Sequence, residues 1–157
     1  MSETNGFEHE LRLDLPAAHR GVRVARSVVR RFARMQGMPK DECDAMALVL
    51  TELLGNAIDH GGGGAAMSEE DMTADVRMRL DFRVASGRWT LAVSDQGGAD
   101  PDEVERLIKS AEAFDLEDDR GRGLFLLKTS VDELNVELNQ DRSGLTVRVR
   151  KSFERGG

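Results

Sequence analysis

Apolar and polar residues alternate strictly in some stretches of this chain and recur at helical spacing in others. Phe7, His9, Leu11, Leu13 and Leu15 alternate with Glu8, Glu10, Arg12 and Asp14, the pattern of a half-buried strand, and Pro16 ends it. Across residues 17–36 the period changes: Val22, Ala25, Val29, Phe32 and Ala33 define the buried stripe of a helix, with Gly37 as its stop. A second helix follows Pro39 and runs to about His60, with Ala47, Leu50, Leu54 and Ala57 on its buried side. The glycines at 61–64 break it.

Residues 61–73, rich in Gly, Ser, Glu and Asp, predict a surface loop rather than a linker, because regular patterning resumes at once. Val76, Met78, Leu80, Phe82 and Val84 then alternate with charged residues; Ser86-Gly87 turns the chain, and Trp89, Leu91 and Val93 form the next strand of a hairpin. Residues 101–110 suit a short helix, 111–120 are charged and aperiodic and read as a mobile segment, and 121–130 suit another helix. Residues 131–139 and 145–153 predict a closing hairpin. Strands that alternate with helices yet include two hairpins specify an α+β domain. Its antiparallel or mixed sheet carries helices on one face. No internal repeat is present, and residues 1–157 are read as one domain.

Composition narrows the function classes. A net charge of −7 argues against a general nucleic-acid binder. Cys43 is the only cysteine, so no internal disulfide can form, which fits a reducing compartment. No apolar run approaches the length that spans a bilayer, and a soluble cytoplasmic protein is expected. With six Phe, one Trp and no Tyr, the core must be mainly aliphatic.

Chemistry concentrates in a few places. Glu52, Asn56 and His60 are four residues apart, so they stack on one helix face. A glutamate can take a proton from an attacking hydroxyl, and an asparagine carbonyl is a hard oxygen ligand suited to Mg2+. An isolated pair of this kind is most often a solvated face. Here, however, Asn56 and the adjoining Gly55 are two poor helix formers inside a strong helix, Gly costing about 1 kcal/mol against Ala, which points to a local need such as close approach of a ligand. His60 is read as a C-terminal helix cap rather than a ligand or base.

Asp95-Gln96-Gly97-Gly98 follows an apolar strand. A carboxylate there can accept from the exocyclic amine of adenine while Gly97 admits the base to the backbone; Asp and Gly also suit an ordinary turn. Gly121-Arg122-Gly123, preceded by Arg120, opens an apolar helix whose exposed N–H groups can cradle phosphate, although a flexible helix start would read the same way. Arg23, Arg26, Arg30 and Arg34 form a basic stripe on the first helix, either a solvated face or a docking surface.

In this order and spacing the elements resemble the GHKL (Bergerat-fold) ATPases, and among them the bacterial anti-sigma-factor serine/threonine kinases. Glu52-Leu-Leu-Gly-Asn56-Ala-Ile-Asp-His60 looks like the N box of that family, Asp95-Gln-Gly97-Gly98 like its adenine box, and Gly121-Arg-Gly123-Leu-Phe-Leu-Leu like its glycine box, with residues 111–120 as the ATP lid. The resemblance implies a two-layer sandwich whose mixed, largely antiparallel sheet carries helices on one side. It implies ATP or ADP with Mg2+, with Glu52 as general base, Asn56 as Mg2+ ligand, Asp95 as adenine anchor, and Gly97, Arg120, Gly121, Arg122 and Gly123 around the nucleotide. It further implies a sigma factor and a STAS-type anti-anti-sigma protein as partners, and a homodimer. Near its end the family often has Gly-Thr, whereas here Gly144 precedes Leu145, so Thr146 receives no nucleotide role.

Glu52 also distinguishes the chain from sensor histidine kinases, which usually carry asparagine there. A neutral imidazole attacks phosphorus with an existing lone pair, whereas a serine hydroxyl must lose its proton. Two alternatives accompany the kinase: a nucleotide-gated anti-sigma or adaptor module with little kinase activity, and a scaffold whose basic helix binds an acidic partner.

Overall fold

The computed structural model describes residues 8–61, 77–95, 127–138 and 144–154. The elements are β1 (His9–Pro16), α1 (His19–Met35), α2 (Lys40–Gly61), β2 (Arg77–Ala85), β3 (Arg88–Asp95), β4 (Glu133–Leu138) and β5 (Leu145–Ser152). The strands form one five-stranded sheet in the order β1-β2-β3-β5-β4. Each pairing among the described residues is antiparallel, the first of the two sheet types that the pattern left open. The expected loop at 61–73 begins one residue early, since Gly61 still belongs to α2; its remainder, the short helix at 101–110 and the segment at 111–120 lie outside the described residues.

The two-residue side-chain period fixes what each sheet face does. Leu15, then Met78, Leu80, Phe82 and Val84, then Trp89, Leu91 and Val93, then Val149, are buried on the side that receives the helices. The alternate positions, among them Arg12, Asp14, Arg79, Asp81, Ser94 and Arg148, line the opposite face, which no described helix covers. Gly87, at φ 76, closes the β2–β3 hairpin in a conformation that side chains disfavour.

α1 buries Val22, Ala25, Val29 and Ala33 and ends as its sequence indicates, with Gln36 as C-cap and Gly37 at φ 90. α2 packs against both α1 and the sheet, while α1 also touches the sheet through Phe32 and Phe82, so α2 is buried on more than one side: Cys43, Met46, Val49, Leu50, Leu53, Leu54 and Ala57 are all in the core. Each buried Met, Val or Leu among them contributes about 1.5–3 kcal/mol. The first turn of α2 is fixed to the sheet by polar contacts. The Trp89 indole N–H donates to Glu42 Oε2 at 2.8 Å, and Lys151 Nζ lies 2.9 Å from the same oxygen. From that anchor, Asn56 lies about 20 Å further along the helix, and Asp95 about 20 Å further along its strand.

On the open face, Asp81 Oδ1 is buried without a hydrogen bond, beside the Glu10 carboxylate and 3.6 Å from Arg12 Nε. Burial, then Glu10, push the Asp81 carboxyl above its ordinary range, against the pull of Arg12 and Arg83. Arg12 holds Glu10 below its own. A raised carboxyl favours the fold only while protonated, so that contribution is complete below its unfolded value and is lost as pH rises through its folded value. The lowered Glu10 behaves oppositely: its contribution is present above its unfolded value and is lost as pH falls through its folded value. Asp81→Asn should therefore raise the thermal unfolding midpoint at pH 7, and the gap should close as pH falls through the raised Asp81 value. Equal midpoints at neutral pH would show that Asp81 carries no burial penalty.

Candidate functional site

Alternation along β3 directs Asp95 to the helix side of the sheet, in the row of Trp89, Leu91 and Val93. Among the described residues it is the buried polar or charged side chain, 9 % exposed in a row of apolar neighbours. A carboxylate in such a place must be compensated. The Leu145 backbone N–H contributes to this by donating to Asp95 Oδ1 at 3.2 Å. Its neighbour Ser94 points the other way and shares a hydrogen bond of 2.7 Å with the Thr146 hydroxyl on the open face. Thr146 therefore lies on the face opposite to Asp95.

Gly144 is the site residue that sequence reasoning passed over. A Cβ at this position would stand 2.6 Å from Asp95 Oδ1 and 2.7 Å from the Asp95 carbonyl carbon, and most of what it meets is backbone that cannot rotate away. The glycine lets the start of β5 close on Asp95 and present the Leu145 N–H. The signal available in the sequence is Gly144 itself, at the place where the resembled family often has Gly-Thr. Gly144→Ala should cost about 1–3 kcal/mol of stability through overpacking. It should also displace Asp95, so urea unfolding and ATP titration should both register it. Unchanged stability would mean that the two strands do not meet so closely.

Glu52 and Asn56 occupy successive turns of the C-terminal half of α2. Asn56 is half-buried and Glu52 exposed. Neither makes a hydrogen bond or ion pair among the described residues. Gly55, between them in sequence, has open space where a Cβ would stand. Glu52 lines a cleft of about 600 Å³ together with Leu48, Val49, Leu127, Ser130 and Lys151, between α2 and the helical residues 127–130. His60 is helical, one residue from the end of α2. Gly97, Arg120, Gly121, Arg122 and Gly123 lie outside the described residues. Of the sequence-predicted site, the structure thus describes a carboxylate-bearing turn and an amide-bearing turn on α2, and a buried carboxylate on the face of β3 that α2 covers.

The donor set fits a magnesium–nucleotide complex better than a metal held by protein alone. Among the described residues no group of three or more His, Cys, Asp or Glu side chains is placed to hold a metal. Mg2+ ordinarily takes one or two protein oxygens and draws the rest of its shell from phosphates and water, and the Asn56 amide, without a hydrogen bond among the described residues, is suited to supply one. Cys43 is no nucleophile in this arrangement: it is buried, its thiol is pushed up by burial, and its Sγ lies 3.6 Å from the Met38 carbonyl oxygen.

These features coincide with a known family. The model of the histidine kinase-like ATPase domain matches residues 15–151, and the chain belongs to that family. Membership implies nucleotide binding. Two solved structures share the fold. One is the SiaB–SiaC complex from Pseudomonas aeruginosa, with 14% identity and a TM-score of 0.65 over 89% of this chain and 88% of that one. The other contains the RsbU and RsbW domains of Rv1364c from Mycobacterium tuberculosis, with 16% identity and a TM-score of 0.59 over 92% of this chain. The match takes in 32% of the Rv1364c chain. No curated protein matches the sequence. Among the described residues no helix is long and apolar enough to cross a membrane.

Proposed function

We propose that this chain is an ATP- and Mg2+-dependent protein serine/threonine kinase that acts as an anti-sigma factor. In this reading it holds a sigma factor, phosphorylates a STAS-type anti-anti-sigma antagonist, and works as a homodimer in the cytoplasm. The observation that carries the reading is Glu52. It stands one turn before Asn56, exposed, without a partner among the described residues, at the rim of a cleft large enough for a segment of another protein. A carboxylate so placed has no packing role and is open to an incoming hydroxyl.

Asp95 accepts from the exocyclic amine of adenine, with Gly97 beside the base. Arg120, Gly121, Arg122 and Gly123 would hold the phosphates. Asn56 would hold Mg2+, which would supply electrostatic stabilisation of the charge that builds during transfer. The partner's hydroxyl oxygen bonds to the γ-phosphorus while Glu52 takes its proton. The bond from that phosphorus to the β–γ bridging oxygen breaks, and ADP leaves. Asn56 on α2 and Asp95 on the face of β3 against which α2 packs support a single site.

The relatives support a partner protein: one is a complex of SiaB with SiaC, and the other joins an RsbW domain to an RsbU domain. Affinity capture on the purified chain, with ADP and without it, followed by phosphosite mapping of what is retained, tests the reading. The expected result is a small protein phosphorylated on Ser or Thr and a second partner whose retention depends on nucleotide. Nucleotide-dependent capture without any phosphosite would replace the kinase by the binding module.

A further inference from the structure

α1 concentrates positive charge in an acidic protein. Its 17 residues include Arg20, Arg23, Arg26, Arg30, Arg31 and Arg34 and no acidic residue, in a chain of net charge −7. Arg30 is accounted for, since its guanidinium pairs with Asp44 and ties α1 to α2. The other five make no ion pair among the described residues. They cannot be explained by bridges within the described fold.

The same helix carries a second apolar line besides the one it buries. Val24, Val28 and Met35 are 52%, 38% and 75% exposed, and with Arg31 they recur at spacings of four, three and four residues. That is the spacing of a seam made for another helix. Val22, Ala25, Val29 and Ala33, on the buried side, already face the core. The exposed seam is therefore surplus to the fold. Arginines flank it, with Arg20, Arg23 and Arg34 on one side of the seam line.

We propose that the outer face of α1 is a docking surface for an acidic amphipathic helix of a partner protein. The partner seats apolar side chains on Val24, Val28 and Met35 and sets Asp or Glu carboxylates against the free arginines. Charge selects this occupant. A second copy presenting its own α1 would place arginine against arginine. A nucleic acid would meet the field of a chain with net charge −7. Arginine forks pair bidentately with carboxylates, which adds register to attraction. The surface is separate from the α2–β3 site, and the proposal does not rest on nucleotide chemistry.

Fluorescence anisotropy with defined probes tests it. The probe is a labelled helical peptide of about 20 residues, built of Leu at alternating three- and four-residue spacing and Glu elsewhere. The comparators are a scrambled peptide of the same composition and a single-stranded oligo-dT. The seam peptide should bind at least about tenfold more tightly than either comparator and should weaken as salt rises. Arg23→Glu combined with Arg31→Glu should weaken it about tenfold or more, and so should Val24→Asp, all at exposed positions. Arg150→Glu, on the open sheet face, should leave it unchanged. Circular dichroism verifies that each variant is folded. Equal binding of the scrambled peptide or of oligo-dT, absence of binding, or indifference to both α1 variants would overturn the proposal.

Discussion

Replacing Glu52 by alanine should abolish phosphate transfer while leaving ATP binding intact. The carboxylate is proposed to take the proton from the partner's hydroxyl, a role that contributes about 10²–10⁴ in rate. Its removal also relieves repulsion between two negative groups, carboxylate and phosphate, so nucleotide affinity should hold or rise. Stability should hardly change, because Glu52 is exposed and makes no hydrogen bond or ion pair among the described residues. Asn56→Ala should fail differently. It removes the proposed Mg2+ ligand, so Mg2+-dependent ATP affinity should fall together with transfer. ATP titrations with and without Mg2+, followed by transfer assays on both variants, separate the two roles. Parental transfer by Glu52→Ala would refute the general-base assignment and favour the nucleotide-gated binding module.

Asp95→Asn should weaken ATP binding about tenfold to a hundredfold, the equivalent of one charged hydrogen bond of roughly 1.5–3 kcal/mol. The substitution exchanges an acceptor oxygen for a donor facing the adenine amine. It also acts on a group that the fold has gone far to hold. Asp95 is buried, accepts from the Leu145 N–H, and is approached so closely by Gly144 that a methyl group there would meet it. Because Asn retains one carbonyl oxygen, the Leu145 contact can survive, and any stability loss should be smaller than that of Gly144→Ala. Calorimetry on the folded variant is the measurement. Unchanged ATP affinity would remove Asp95 from the site.

The elements were legible because each carries its own period. β1 and the β2–β3 hairpin alternate, α1 repeats a single buried stripe, and Gly37 and Gly87 mark turns with positive φ. The pairing of Glu52 with Asn56 was legible for the same reason, since four residues of helix suffice to align them. What spans the sheet was not. That β5 lies between β3 and β4 depends on tertiary register. The closure of Gly144 onto Asp95, and the meeting of Glu42 with Trp89 and Lys151, depend on that register too. Residues so far apart in sequence announce nothing locally. The exposed seam of α1 fell between the two cases. Its arginines were visible as a stripe, but the exposure of Val24, Val28 and Met35 required knowing which side of the helix the core had taken.

The most direct measurement of the central claim is transfer of labelled γ-phosphate from ATP to the captured antagonist, read by the chemistry of the bond formed. A hydroxyl acceptor activated by Glu52 gives a phosphoester, stable to acid and located on serine or threonine. The account predicts that product, formed with Mg2+ and absent with Glu52→Ala. An acid-labile phosphohistidine, or a phosphoester formed equally well without Glu52, would contradict it.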